Sequence, residues 1–157
     1  MSAEHPSIAH FRAEHQHRGG RGEIVILPDS VHTAALAAEA LGCAVGAIAN
    51  SLLFDADGSP VLILTSGDHR VDTTLAAERI GRGPLRRASP DFVRLHTGQV
   101  IGGVSPIAHP APVPTYLDGW LARHDVVWAA AGHPAAVFST SYDELLALTG
   151  ATPIEVA

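Results

Sequence analysis

The amino-acid sequence predicts one α/β domain built on a mixed, mostly antiparallel sheet with helices packed around it. Its 157 residues are 46% hydrophobic, which suits a single domain with a substantial buried core. Short runs rich in β-branched residues alternate with helical patterns, and two of these runs are joined by a tight turn. A hairpin set among helices is typical of a mixed sheet rather than of a wholly parallel one.

The opening segment is predicted to be a helix over residues 7–17. Ile8 and Phe11 give this helix only a short apolar edge, so we expect it to be loosely attached. Residues 1–22 are therefore expected to form an N-terminal extension, and residues 23–157 the domain itself.

A strand and a helix follow the opening segment. Residues 23–27 are rich in β-branched side chains and precede Pro28, which is typical of a strand that ends there. Residues 33–41 place apolar side chains at helical period, and Gly42 stands where a helix C-terminus favours glycine. We therefore expect a strand packed beside a helix.

Two strands joined by a tight turn give the strongest local signal. The turn is predicted at residues 55–60, and it joins strands over residues 47–55 and 61–65 that should pair antiparallel. Polar Asn50 and Ser51 interrupt the first strand. Because an unpaired buried amide costs about 1–3 kcal/mol, one face of this strand is expected to open onto a pocket. Alternatively, Asn50 points to solvent from a half-exposed strand.

The C-terminal half continues the alternation of helices and strands. Asp72 is placed to cap one helix, and Pro90 suits the first turn of the next. Residues 116–122 fit either a short helix or a bent strand. The other predicted elements are helices over residues 72–80, 89–96 and 141–148, an extended piece over 107–109, and strands over 125–131, 136–139 and 154–156.

The charge pattern argues against a DNA partner. All ten basic residues are arginines, and the net charge is −6. A broad duplex-binding surface would need many phosphate contacts, which an acidic chain does not favour. Six arginines, against four acidic residues, lie between positions 68 and 94. This cluster leaves open a small contact with one nucleic-acid end, although each arginine taken singly also fits an ordinary solvated position.

Metal and redox chemistry have little support in the sequence. The ten histidines include His5, His10, His15 and His17, but these four lack the i, i+4 spacing that places two imidazoles on one helical face. We expect no metal and no cofactor, and a histidine-based metallohydrolase stays an alternative. The single cysteine, Cys43, excludes an internal disulfide and is expected to be a small buried hydrophobic residue.

No segment of the sequence has the pattern of a membrane span or of a secretion signal. The longest apolar runs, such as residues 24–27 and 61–64, are far shorter than the about 20 residues that cross a bilayer. Residues 1–20 are polar and rich in histidine. We therefore expect a soluble, cytoplasmic protein with no membrane partner.

A glycine-punctuated stretch over residues 97–106 is the strongest candidate for a binding site. Its sequence is Thr-Gly-Gln-Val-Ile-Gly-Gly-Val-Ser-Pro. Glycines permit backbone conformations that other residues resist, so main-chain N–H groups can turn toward a ligand. An ordinary tight turn is the alternative interpretation.

Several stretches, taken in order, resemble the YbaK/EbsC family, which includes the editing domain inserted in bacterial prolyl-tRNA synthetases and free-standing relatives that deacylate mischarged tRNA. The resemblance spans about residues 24–156 and implies the fold of that editing domain. Its most specific part is the Gly-x-x-x-Pro loop from Gly102 to Pro106. The stretches are residues 33–42, 48–52, 64–68, 97–106 and 131–133.

The resemblance implies a deacylase that acts in trans and hydrolyses the aminoacyl ester of a mischarged tRNA. The implied partners are the aminoacyl-tRNA 3′ end and a prolyl-tRNA synthetase, and the implied substrate is a small amino acid on a tRNA related to that for proline. Backbone N–H groups of Gly102, Gly103 and Val104 are suited to stabilise the ester oxyanion. The implied substrate-binding residues are Thr33, Ser51, Asp68, Arg70, Ser105, Pro106, Gly132 and His133.

Asn50 departs from the family pattern, because members usually carry a catalytic lysine at this position. Asparagine donates hydrogen bonds but supplies no charge, and charge-assisted bonds are roughly twice as strong as neutral ones. In the deacylase hypothesis Asn50 orients the substrate, and Arg70, His69 or His133 could compensate if it lines the same pocket. The second hypothesis is a non-catalytic module of the same fold that binds an aminoacyl end or a small amino-acid-like ligand.

Overall fold

The structure is a computed structural model that describes residues 4–28, 31 and 33–157. In this part of the chain, no helix is both long and apolar enough to cross a membrane. The helices are α1 (Pro6–His17), α2 (Ala34–Leu41), α3 (Thr73–Ile80), α4 (Pro90–Thr97) and α5 (Tyr142–Thr149), with 3₁₀ turns at Val45–Ala47 and Gly119–Arg123. The strands are β1 (Ile24–Ile26), β2 (Ile48–Ala56), β3 (Ser59–Ser66), β4 (Leu85–Arg87), β5 (Thr115–Asp118), β6 (Val127–Ala130), β7 (Ala136–Thr140) and β8 (Thr152–Ile154).

The eight strands of the described chain form one mixed sheet, as predicted. They follow the order β1, β7, β6, β2, β3, β5, β8, and β4 pairs with β2 off this path. The predicted hairpin is confirmed, because β2 and β3 pair antiparallel over eight residue pairs. β1 with β7, β2 with β4, and β6 with β7 are also antiparallel, whereas β2 with β6, β3 with β5, and β5 with β8 are parallel.

Helices α2 to α5 begin and end with the same local chemistry. At each start, a Thr, Asp or Ser side chain accepts the backbone N–H three residues later, at 3.1–3.2 Å. Each helix ends at a glycine with left-handed backbone, which needs no Cβ. A side-chain cap of this kind contributes about 1 kcal/mol. The caps are Thr33, Asp72, Ser89 and Ser141, followed by Gly42, Gly81, Gly98 and Gly150.

Strand β3 separates two apolar clusters, because alternate side chains of a strand point to opposite faces. Leu62 and Leu64 belong to the larger cluster, and Val61 and Ile63 to the smaller. All four are fully buried. Helices α4 and α5 supply residues to the larger cluster and α3 to the smaller, so helices cover the centre of the sheet on both faces.

The opening helix α1 is part of the core, so the expectation that it is loosely attached is wrong. Phe11 is fully buried, and the centre of its ring lies 4.7 Å from that of Phe138 in β7. Gly132 allows the close approach of α1, because a Cβ there would lie 2.6 Å from the carbonyl oxygen of Ser7. Two buried apolar residues, Ile8 and Phe11, together with the buried ring of His15, therefore attach an otherwise polar helix.

A few segments differ from the sequence-based expectations. The sequence does not predict β4, which contains one apolar residue and two arginines. Residues 116–122 combine both alternatives, since they divide into the end of β5 and a 3₁₀ turn. Residues 107–109 lie outside the sheet. The terminal strand β8 begins earlier than expected and includes Pro153, which is tolerated because β8 lies at the sheet edge.

Replacing Phe11 by alanine should lower the free energy of unfolding by about 3–5 kcal/mol, because the change removes a fully buried aromatic ring. Urea unfolding followed by circular dichroism measures this loss. His10→Ala, at an exposed position of the same helix, is the matched control and should change the stability by less than about 0.5 kcal/mol. Equally small losses in both variants would contradict the packing of α1 in the core.

Candidate functional site

Strand β2 has a stretch that lacks a partner strand on one side. Along one edge, β3 pairs with it from Ala49 to Ala56. Along the other edge, β6 pairs only at Ile48 and Ala49, and β4 pairs only from Phe54 to Ala56. Within the described chain, residues 50–52 therefore have an open edge between β6 and the end of β4, where the N–H of Ala88 binds the carbonyl of Leu53. We call this open edge the sheet gap.

The backbone of Ser51 faces the sheet gap. In a strand, the N–H and C=O of one residue point to the same side, and successive residues alternate between the two sides. The carbonyl of Leu53 accepts the N–H of Ala88 on the gap side, whereas the carbonyl of Ile48 accepts the N–H of Gly67 on the β3 side. By this alternation, the N–H and C=O of Ser51 point into the gap. Its hydroxyl oxygen is buried and has no hydrogen-bond partner among the described residues.

A cavity of about 1000 Å³ surrounds the sheet gap. Its lining comes from β2, α2, α4, β4, β6, the loop after β3 and the glycine-rich loop of residues 98–106. This volume lies at the upper end of the range of about 300–1,000 Å³ that is usual for small-molecule sites. The cavity brings together six of the predicted site residues: Thr33, Asn50, Ser51, Arg70, Gly102 and Val104.

Asn50 lies in the open part of β2. It is half-buried, lines the cavity and stands opposite Thr65 in the register of β2 and β3. The expectation that this strand opens onto a pocket is therefore confirmed. At this position the cavity lining has a neutral amide, whereas a lysine would place a positive charge there.

The side chain of Gln99 braces the glycine-rich loop. Gln99 is only 4% exposed, its Nε2 donates to the hydroxyl of Ser105 at 2.9 Å, and its Oε1 accepts the N–H of Ser105 at 2.7 Å. The hydroxyl of Thr97, the last residue of α4, accepts the N–H of Gln99 at 3.1 Å and donates to the carbonyl of Val93 at 2.7 Å. These bonds connect the two ends of the loop and attach it to α4. The sequence did not single out Gln99, because a loop glutamine is usually exposed.

Four backbone N–H groups of the glycine-rich loop have no protein acceptor among the described residues, namely those of Val100, Ile101, Gly102 and Val104. Of these residues, Ile101, Gly102 and Val104 line the cavity. The N–H of Gly103 is already used, because it donates to the carbonyl of Val100 at 2.9 Å and closes a turn. Gly102 has a φ of 90°, which favours glycine. Of the three predicted donors, Gly102 and Val104 therefore stay available to a ligand and Gly103 does not, and Ile101 offers a further N–H that the sequence did not single out.

The other predicted substrate-binding residues lie outside the cavity lining, and their role stays a prediction. Gly132 packs against α1, and the Nδ1 atom of His133 accepts the N–H of Ala135 at 3.0 Å. Pro134, which the sequence did not single out, lines the cavity in their place. The five residues outside the lining are Asp68, Ser105, Pro106, Gly132 and His133.

Two arginines bring positive charge to the cavity. Arg70, in the loop after β3, and Arg87, in β4, are exposed and both line it. Guanidinium groups can bind a phosphate through two parallel hydrogen bonds. Sequence reasoning singled out Arg70 but not Arg87, because the pairing of β4 with β2 was not predicted. The cluster of arginines between positions 68 and 94 was the available signal.

No group of three or more metal-binding side chains comes together in the part of the chain that the structure describes. His15 is buried against the rings of Phe11 and Phe138, and burial lowers its pKa. Cys43 is only partly buried, rather than buried as expected; it packs against the apolar cluster beside α2, and burial raises the pKa of its thiol. Both residues therefore contribute to packing.

Known proteins resemble this chain in fold and, over most of its length, in sequence. A family model described as an aminoacyl-tRNA editing domain matches residues 28–148. The crystal structure of a candidate trans-editing enzyme for prolyl-tRNA synthetase superposes with a TM-score of 0.93 at 43% identity, covering 98% of both chains. The protein YwhH of Bacillus subtilis (strain 168) is 37% identical over 112 residues, which are 69% of each chain.

A proline–tRNA ligase extends the comparison to a larger protein. The ligase of Levilactobacillus brevis is 30% identical over 107 residues, which are 68% of this chain but 18% of the ligase. The chain thus spans less than a fifth of the length of that relative. The family match, which covers more than half of the chain, agrees with the resemblance and with the fold. The chain belongs to the aminoacyl-tRNA editing domain family, as its resemblance to YbaK/EbsC proteins predicted.

Proposed function

We propose that the protein hydrolyses the aminoacyl ester at the 3′ end of a mischarged tRNA, acting in trans. One observation carries the proposal: the sheet gap at Ser51 and the N–H groups of Gly102 and Val104 belong to one cavity. The relatives, an editing domain and a candidate trans-editing enzyme for prolyl-tRNA synthetase, support the same reaction. We propose as substrate a tRNA that prolyl-tRNA synthetase has charged with a small amino acid other than proline.

The N–H groups of Gly102 and Val104 suit the carbonyl oxygen of the ester. This oxygen gains negative charge when water attacks, and fixed donors stabilise that charge without having to reorganise. Removing one such donor typically costs about 10²–10³ in rate. The brace from buried Gln99 to Ser105 keeps the loop in one conformation, so the donors are in place before the substrate binds.

The sheet gap suits the aminoacyl group. An unpaired strand edge binds extended ligands through main-chain hydrogen bonds. Ser51 offers the gap one donor and one acceptor from its backbone, and its unpartnered hydroxyl adds a further group. An α-ammonium group binding to the carbonyl or hydroxyl of Ser51 would satisfy atoms that otherwise lack partners.

Part of the lining is apolar and suits a small side chain. A synthetase discriminates one methylene group by only about 1–3 kcal/mol, so it cannot reject every small amino acid at its own site. For that reason, a separate site that hydrolyses the mischarged tRNA has a physical rationale. The apolar lining includes Ala37, Ile48, Trp128 and Val137.

Arg70 and Arg87 suit the phosphates next to the terminal nucleoside. Both are exposed at the cavity, where a guanidinium group can contact a phosphate and still reach solvent. The net charge of −6 disfavours a large basic footprint on the rest of the tRNA. We therefore propose that the protein binds the tRNA mainly at its aminoacylated end.

The uncharged side chain of Asn50 favours a second candidate function. The position lies in the cavity but carries no charge. A protein with the same cavity and no hydrolytic activity would act as a module that binds an aminoacyl end or a small amino-acid-like ligand.

Purified protein should release the amino acid from at least one of alanyl-, cysteinyl-, seryl- and threonyl-tRNA faster than the uncatalysed reaction, with or without a chelator. The assay follows loss of the radiolabelled ester. Gly102→Val should lose this activity, because a β-branched residue does not tolerate the φ of 90° at this position.

No ester loss above background for any of the four substrates would contradict the deacylase and favour the binding module. Activity that disappears with chelator would instead favour the metallohydrolase alternative.

Asn50→Lys should raise the deacylation rate by about tenfold, because a charge-assisted hydrogen bond is stronger than a neutral one by about 1–1.5 kcal/mol. Asn50→Met is the matched control, because methionine is similar in length to lysine but carries no charge, and this variant should not gain activity. Single-turnover rates on the same tRNA substrate measure the difference. Equal rates in the lysine variant and the wild type would show that position 50 does not face the reacting ester.

A further inference from the structure

The cavity also contains a histidine that is held by a buried carboxylate. His69 lines the cavity, and its Nδ1 lies 2.7 Å from Oδ2 of Asp118. Asp118 is 1% exposed, its Oδ2 accepts the N–H of Ser66 at 3.0 Å, and its Oδ1 accepts the N–H of Trp120 at 2.9 Å. Backbone donors thus fix the carboxylate independently of His69.

The contact with Asp118 determines which nitrogen of His69 carries the proton. An ionised carboxylate only accepts hydrogen bonds, so Nδ1 carries the hydrogen, and in the neutral ring Nε2 keeps its lone pair. The ring also packs against Trp120, at 4.9 Å between ring centres, and Trp120 in turn contacts the guanidinium of Arg123 at 3.7 Å. The imidazole is therefore fixed both in tautomer and in orientation.

The pair of His69 and Asp118 is connected to the position of Asn50. Thr65 stands opposite Asn50 in the sheet, and both residues line the cavity. The hydroxyl of Thr65 donates to the same Oδ2 of Asp118 that holds His69, at 3.4 Å. One carboxylate thus connects the histidine with the strand residue beside the sheet gap.

We propose that His69 is the general base of the deacylation, a role that rests on the function proposed above. Nε2 takes a proton from water as the water oxygen bonds to the ester carbonyl carbon, and the oxyanion binds the N–H groups of Gly102 and Val104. The bond between that carbon and the 3′ oxygen of the ribose then breaks. The leaving oxygen receives the proton from Nε2, which gives the free amino acid and an uncharged tRNA.

The pH dependence of this step identifies the base. Asp and Arg side chains do not ordinarily titrate between pH 5 and 8, whereas histidine does. Burial raises the pKa of the Tyr142 hydroxyl, which keeps it neutral in this range. Among the described residues, His124 is the other histidine in this part of the fold, and its Nε2 lies beside Gly46. The charged and titratable groups around the pair are Asp68, Arg70, Arg123, His124 and Tyr142.

His69→Gln should lower kcat/KM for alanyl-tRNA, or for another ester that the wild type hydrolyses, by about 10²–10⁴. In the wild type, kcat/KM should fall as the pH is lowered from 8 to 5, and the variant should lose this dependence. His124→Gln is the matched control and should keep both the rate and the pH profile. If the wild type hydrolyses the ester and His69→Gln keeps the same rate and pH profile, His69 is not the general base, but the deacylase function is unaffected.

A second measurement does not depend on turnover. ¹⁵N NMR of the wild type at pH 8 should show neutral His69 with the proton on Nδ1, and Asp118→Asn should disturb that tautomer. If the neutral ring of His69 in the wild type carries its proton on Nε2, the proposal that His69 is the general base is wrong. This result does not depend on whether His69→Gln folds. If the wild type hydrolyses none of the four esters, the deacylase function and the base fall together.

Discussion

The open edge of β2 between β6 and β4 is the constraint on which the site depends. A buried strand edge leaves backbone groups without partners, and each such group costs about 1–3 kcal/mol unless water or a ligand satisfies it. Here the edge opens into a cavity of about 1000 Å³, so water and ligands can reach Ser51. The sheet is thus interrupted where a polar ligand can take the place of a strand.

The surrounding elements keep the sheet gap open and add chemistry to it. β2 is held on its other edge by eight residue pairs with β3, so the missing neighbour does not leave the strand loose. The loop braced by Gln99 supplies N–H donors, and Arg70 and Arg87 supply positive charge. His69, oriented by Asp118, adds a proton acceptor. We propose that these groups together compensate in part for the charge that Asn50 does not provide.

Local signals predicted most of the fold, and non-local contacts explain what was missed. Helix caps such as Asp72 and Gly42, and the turn between β2 and β3, depend on neighbouring residues and could therefore be predicted from the sequence. The sheet gap depends on where β4 and β6 stop pairing with β2, which no short stretch encodes. His69 and Asp118 are 49 positions apart. The pocket beside Asn50 was predicted, but its second arginine and its histidine–carboxylate pair required the three-dimensional structure.

The most direct test of the site is NMR titration with 3′-alanylamido-3′-deoxyadenosine, whose amide resists hydrolysis where an ester would react. If the aminoacyl end enters the sheet gap, the backbone amide signals of Ser51, Gly102 and Val104 should shift together as the analogue saturates the protein. A saturating analogue that shifts other residues and leaves these three amides unchanged would contradict the proposed site.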